Sequence, residues 1–441
     1  HTIAGNVTTG GGDWIIHDDV IVAGADISVN TANGELRVTG TINDDAANNK
    51  LTLDSADGQL TLESSVGNID PLSSLTLTNT VVGGAELNGE LRTIDLVDLS
   101  GSLKIDLGSD VSLVATDGDG DILLNGGAID GAFGLTAAAG GNVTIGVTGQ
   151  TTPLQRLRIV GNAGDLNNSG SIDILGAITV VDTAEFVIEG TTNPGNDITV
   201  AGAVVAADAI FNAATIVNFT AAQNNTAGNI TATAGTLIDV DQNITAAAGD
   251  ITFNDDSDLG AEVTAGNDLS LLGGTNTLSA GGGNLTATNG DIRVTGDFKG
   301  AQALVLTAAK GDIYTFDMPD DAADPNSLTA TSQRWLIEGD VVVDGAIDAS
   351  AVPEVHVTAA AGDVEINGVG INFSNGGNNL LHGIGNEVTL DSTGGVLALD
   401  NVDVDELTID AAASITLRGD ISVEEDLDVP AAVTLGQDVK I

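Results

Sequence analysis

The chain has 441 residues, and 12 Lys and Arg against 63 Asp and Glu leave a formal net charge of −51. So few cations give no footprint for nucleic acid or an anionic membrane surface, and the absence of cysteine excludes disulfides, thiolate metal sites and a cysteine nucleophile. Hydrophobic residues still reach 42%, so the chain has a core to bury and is not a disordered acidic tail.

Along the chain one phrase recurs: Gly, then Asp or Asn, then an aliphatic residue that opens an alternating run. It begins as Gly5-Asn6-Val7 and returns as Gly67-Asn68-Ile69, Gly120-Asp121-Ile122 and Gly141-Asn142-Val143. Further copies are Gly228-Asn229-Ile230, Gly249-Asp250-Ile251, Gly283-Asn284-Leu285, Gly290-Asp291-Ile292 and Gly311-Asp312-Ile313. The last are Gly339-Asp340-Val341, Gly362-Asp363-Val364 and Gly419-Asp420-Ile421. The step from Gly120 to Gly141 is repeated from Gly228 to Gly249 and again from Gly290 to Gly311. Glycine supplies a positive φ or a close backbone approach at a corner, and Asn or Asp tolerates the turn. Runs such as Ile251-Thr252-Phe253-Asn254 and Val364-Glu365-Ile366-Asn367 alternate with period two, one face in and one face out. The Ala-rich pieces at 137–139 and 246–248 read as small residues between strands, where coils stack closely.

No long run combines a 3.6 period with caps, so no helix is expected. The most apolar stretch, Ala201 to Ala222, carries Asp208, Asn212 and Asn218 and reads as buried strands rather than a membrane span. Short strands recurring at a period of about 20 residues predict an all-β parallel β-solenoid of about 20 degenerate coils. One elongated body is expected over 1–441, with a loop excursion near 316–333. Two tryptophans, Trp14 and Trp335, are too few for a string of β-sandwiches, each of which wants a large buried aromatic.

One stretch resembles a known family. Gly141-Asn142-Val143-Thr144-Ile145 leads into Thr151-Thr152-Pro153-Leu154-Gln155-Arg156-Leu157-Arg158-Ile159-Val160-Gly161. It is similar to the repeat unit of large bacterial surface proteins of the filamentous haemagglutinin type. A second copy is Gly67-Asn68-Ile69-Asp70-Pro71-Leu72-Ser73-Ser74-Leu75-Thr76-Leu77, with weaker echoes at 134–136 and 303–307. The resemblance implies a right-handed parallel β-helix exported to the cell surface, with adhesion, matrix formation or fibre building as its role.

Candidate chemistry is sparse. Asp165, Asn167, Ser169 and Asp173 fall on positions 1, 3, 5 and 9 of an EF-hand-like calcium loop, but position 12 is Gly176 and no helix flanks it. A polar corner followed by a strand explains the same residues. Asp117, Asp119 and Asp121 alternate in an extended segment and offer a second calcium candidate. Looser acidic groups are Asp317, Asp320, Asp321 and Asp324, and Asp255, Asp256 and Asp258. Arg156 and Arg158 would share one outward strand face. The four His (His1, His17, His356 and His382) read as isolated, and with no converging acids, bases and aromatics an enzyme is not expected. Seven Asn-x-Thr sequons, at Asn6, Asn142, Asn218, Asn224, Asn229, Asn243 and Asn284, read as corner plus strand.

The expected function is therefore an extracellular structural protein, a subunit of a cell-surface fibre assembled by end-to-end stacking, with calcium as the candidate cofactor. The strand-like run from Ile415 to Ile441 shows no capping helix, and an uncapped coil exposes strand edges and core. Two alternatives remain: the stalk or ligand-binding segment of an adhesin that meets cell-surface or matrix polysaccharide, and a polysaccharide-active enzyme. Neither nucleic acid nor membrane insertion is expected.

Overall fold

In the computed structural model, residues 1–80, 84–117, 120–146, 148, 151–152, 154–161, 172–174, 178–179, 185–189, 198–200, 204–205, 208–213, 215–225, 228–316, 318, 324–358, 363–375, 379–410, 413–429, 432–435 and 440 are described. Among them every regular element is a strand, and the strands pair in parallel with those of the coils before and after. The protein is a β-solenoid. Contacts divide it into two compact units, His1–Asn229 with Thr233–Thr236, and Ile230–Ala232 with Leu237–Ile441.

In the first unit, Leu36, Leu60, Ala85, Ile105 and Ile129 succeed one another as register partners, and all are buried. A second column runs Leu75, Val97, Ile122, Val143, Ile172 and Ile198. The long strands Ala85–Ser102 and Leu380–Ser392 carry register shifts where they bend round a corner.

In the second unit a coil can be made of three short strands, as in Ile251–Phe253, Ser257–Leu259 and Val263–Ala265. The first of these opens a ladder through Ile251, Leu269, Ile292, Ile313, Trp335, Val355, Leu381, Val402 and Ile421. Its steps are unequal, the shortest from Ile251 to Leu269 and the longest from Val355 to Leu381. Like side chains stack on like, so the core is a narrow aliphatic column, and burying each Ile or Leu contributes about 1.5–3 kcal/mol. At one inward position polar residues bond one another. Ser257 Oγ lies 2.8 Å from Asn276 Oδ1, and the Asn276 amide donates to the Asp297 carbonyl at 3.4 Å. Trp335 is fully buried, its Nε1 donating to Thr315 Oγ1 at 3.0 Å and its ring edge-on to Phe373 at 6.3 Å.

One local expectation changes. The Ala-rich pieces are not spacers between strands. Ala137–Ala139 ends the strand Gly134–Ala139, and Ala246 closes Ile244–Ala246. Of the stretch 316–333, where an excursion is expected, 317 and 319–323 lie outside the described residues; Ser327–Thr331 is a strand stacked on Ala303–Ala308, and Met318 bridges to Val341.

The Gly-Asx phrase has a direct physical cause. The Asp side chain of one coil reaches to the N–H of the equivalent residue in the next: Asp268 Oδ1 accepts from Asp291 N at 2.8 Å, and Asp291 Oδ1 from Asp312 N at 2.8 Å. The side chain passes through the place a Cβ would occupy on the preceding residue. A Cβ on Gly290 would collide with Asp268 Oδ1, and one on Gly311 with the Gly290 carbonyl and Asp291 Oδ1. At Gly67 the requirement is double: φ is +70°, and a Cβ would also collide with the Arg92 carbonyl. Gly311→Ala should therefore destabilise by about 1–3 kcal/mol, the usual cost of overpacking, in urea titrations. Gly394→Ala, with nothing within 4 Å of the added carbon, should stay within about 0.5 kcal/mol of the parent.

Candidate functional site

The residues on either side of the Ile251–Ile421 ladder point outward and form two parallel columns. The preceding positions are Asp250, Asp268, Asp291, Asp312, Arg334 and Glu354. Their carboxylates are linked through main-chain amides: Asp250 Oδ1 accepts from Asp268 N at 3.1 Å, and the series continues through Asp291 to Asp312. Arg334 ends the run, donating Nε and Nη2 to Asp312 at 3.3 and 2.5 Å. That hydrogen bond, followed by the charge of Asp312, raises the Arg334 pKa further.

The following positions are Thr252, Ser270, Arg293, Tyr314, Leu336, His356, His382 and Asp403. Arg293 holds its guanidinium 4.8 Å over the ring of Phe316, a cation–π contact. Tyr314 and Phe316 stand on the same outward face and are half-buried. Burial, then Asp291 and Asp312, pushes the Tyr314 phenol above its ordinary pKa. Asp268, Ser270, Asp291, Arg293 and Tyr314 enclose an open cleft of about 230 Å³. Its wall offers carboxylate acceptors, guanidinium donors, two hydroxyls and an aromatic surface.

Farther along the column, the rings of His356 and His382 meet edge to face at 4.7 Å. His356 Nδ1 lies 3.7 Å from Glu354, and His382 Nδ1 lies 3.3 Å from Asp403. Burial, then the neighbouring His382, lowers the His356 pKa. These two histidines are thus stacked partners and not isolated residues. The sequence hides this because Glu354-Val355-His356-Val357 and Leu380-Leu381-His382-Gly383 lie outside the Gly-Asx phrase and are separated by the longest step of the ladder. The pairing of Arg293 with Tyr314 is visible in principle. Gly290-Asp291-Ile292-Arg293 and Gly311-Asp312-Ile313-Tyr314 are consecutive copies of the phrase, so equal offsets must stack.

The residues singled out for calcium fall elsewhere. Asp165, Asn167, Ser169 and Asp119 lie outside the described residues, as do Asp317, Asp320 and Asp321. Asp173 sits in strand Ile172–Ile174, in register with Thr144 and Thr199. Asp117 shapes a turn whose carbonyl accepts from Gly120 N at 3.0 Å. Asp121 Oδ1 accepts from Asn142 N at 2.6 Å, the inter-coil cap again. Asp256 caps Gly274 N and Thr275 N at 2.8 and 2.9 Å. Two sequon asparagines do the same: Asn6 accepts from Ser28 N at 2.8 Å and Asn243 from Glu262 N at 3.2 Å. Arg156 and Arg158 both project outward from strand Arg156–Gly161. Among the described residues, no three His, Asp or Glu side chains converge closely enough to hold a metal ion. No known protein family, curated protein or solved structure matches the chain. The fold defines a class by architecture alone: a parallel β-solenoid repeat protein.

Stacked acids outside the cleft carry the cost of the charge. Asp391 is the register partner of Asp410, its Oδ1 is buried without a hydrogen bond among the described residues, and burial followed by Asp410 raises its pKa. A carboxyl whose pKa is higher folded than unfolded favours folding below its ordinary range, and that contribution is lost as pH rises through the raised value. Asp391→Asn should therefore raise the melting temperature by a few degrees at pH 7. The gain should vanish as the pH falls below the ordinary aspartate range, and an equal gain at pH 3 would contradict the assignment.

Proposed function

We propose that the chain is a coil-stacking structural segment of an exported, repetitive surface protein of the filamentous haemagglutinin kind, a fibre subunit at the cell surface. What supports this is the far end of the second unit. There Leu407, Ile409, Leu417, Ile421, Leu427, Val429, Val433 and Leu435 surround an open apolar cavity of about 310 Å³. Strand Val433–Leu435 is the last of its sheet among the described residues, and Leu435 is 55% exposed. Exposed core and strand edge of this kind are covered by one further coil, supplied by the same chain or by a second molecule. Contacts that pair unlike ends do not close and give linear polymers, while like charge opposes lateral association.

An extracellular setting also supplies calcium, which screens and bridges stacked carboxylates such as Asp391 with Asp410 and Glu387 with Glu406. A higher melting temperature is expected in millimolar calcium than in sodium chloride of equal ionic strength. Equal midpoints would remove calcium from the account. For assembly, concentrated protein in calcium and salt should form filaments in electron micrographs. Leu435→Glu should remain folded and sediment as a monomer. Parent protein that stays monomeric throughout would overturn the fibre role.

A second role, a ligand-binding segment of an adhesin, is favoured by the Arg293–Tyr314–Phe316 face, where cation and aromatics meet on an otherwise acidic surface.

A further inference from the structure

We infer that the cleft between Asp268, Ser270, Asp291, Arg293 and Tyr314 is a binding site for a neutral, hydroxyl-rich saccharide. The inference does not rest on fibre assembly, because every residue it uses lies on the outer surface of middle coils of the second unit, away from its far end.

The chemistry of the wall selects the ligand. Asp268 and Asp291 each commit Oδ1 to a main-chain N–H of the next coil, at 2.8 Å. That bond fixes the carboxylate and leaves Oδ2 without a hydrogen-bond partner among the described residues. A fixed carboxylate oxygen accepts from sugar hydroxyls without an ordering cost at the moment of binding. Arg293 is exposed and forms no ion pair among the described residues. Its guanidinium lies on Phe316 through the cation–π contact, so its N–H edge is held in place as a donor. Ser270 and Tyr314 bring hydroxyls that both donate and accept. Tyr314 adds aromatic surface for the C–H face of a sugar ring. The cleft, at about 230 Å³, is smaller than the roughly 300 Å³ where drug-sized pockets begin. It suits one ring of a longer chain rather than a large ligand.

Charge decides between classes of ligand. An acidic saccharide would bring its carboxylates against Asp268, Asp291 and Asp312 on a molecule of net charge −51, and like charge disfavours it. A simple cation would meet the Arg293 guanidinium inside the same cleft. A neutral polyol satisfies donors and acceptors together and adds no charge.

Tyr314 is the only tyrosine in the sequence, so a tyrosine difference-absorbance signal reports this cleft. The test titrates the full chain with neutral hexasaccharides of glucose, mannose and galactose, and with oligogalacturonate as the acidic counterpart. A saturable signal is expected with at least one neutral sugar and none with the uronate. Asp291→Asn keeps an Oδ1 for the inter-coil cap and removes the carboxylate, and it should weaken binding at least about tenfold. Arg293→Gln should do the same, with melting curves showing both variants folded. For Tyr314→Ala, which removes the optical reporter, calorimetry should show loss of binding. The inference is overturned if no neutral sugar perturbs Tyr314 at millimolar concentration. It is equally overturned if the uronate binds more tightly, or if folded Asp291→Asn binds like the parent. A protein that forms filaments but fails here loses only this site; one that binds sugar as a monomer loses only the fibre.

Discussion

Parallel coils hold one another only if the chain returns to the same place on every turn. What marks the place is an Asp or Asn side-chain oxygen accepting from the main-chain N–H of the equivalent residue one coil on. Asn6, Asp121, Asp250, Asp268, Asp291 and Asn401 all act in this way. A corner amide that would otherwise point into solvent gains a fixed acceptor, and the bond ties the register of each strand to that of the strand below it. The aliphatic ladder follows from that registration. Ile292 lies on Leu269, and Ile313 on Ile292, each next to aspartates tied in the same way.

The same device makes the molecule acidic and limits how acidic it can become. A carboxylate that receives an N–H keeps its charge easily, as at Asp19, where the Thr41 amide and then its hydroxyl lower the pKa. Asp239 receives no such help. Burial, then Asp241 and Asp258, raises its pKa. The charge of Glu387, then burial, does the same at Glu406. The outer surface thus contains acids that secure the coils and acids that push them apart. Some of the few basic residues close a run of the first kind, as Arg334 does on Asp312.

Much of this architecture is legible in the residues. The Gly-Asx phrase, the period-two runs and the poverty of aromatics point to stacked parallel strands, and equal offsets in successive copies identify which residues share a column. What cannot be read is any pairing that depends on coil length. His356 and His382 meet because the coil between them is the longest of its ladder, and no local pattern announces where a coil lengthens. The calcium reading of Asp117 to Asp121 weighs carboxylates as ligands. In the fold, Asp121 Oδ1 accepts from the backbone of the next coil, a use that looks identical in sequence. Trp335, which counts against sandwiches by its rarity, fills one ladder position otherwise held by aliphatic residues, its indole N–H satisfied by Thr315.

The unequal length of the coils has a consequence for how such a chain changes over generations. Ile251 to Leu269 is a short circuit and Val355 to Leu381 a long one, yet both deliver an inward aliphatic to the same ladder. Because each corner is tied to the equivalent residue one coil on, residues added elsewhere in a circuit can bulge outward and leave the columns above and below undisturbed. Whole circuits can likewise be copied or lost without breaking the ladder. Surface chemistry can thus be revised one coil at a time, and a groove such as that beside Tyr314 can arise on a scaffold whose core never had to be redesigned.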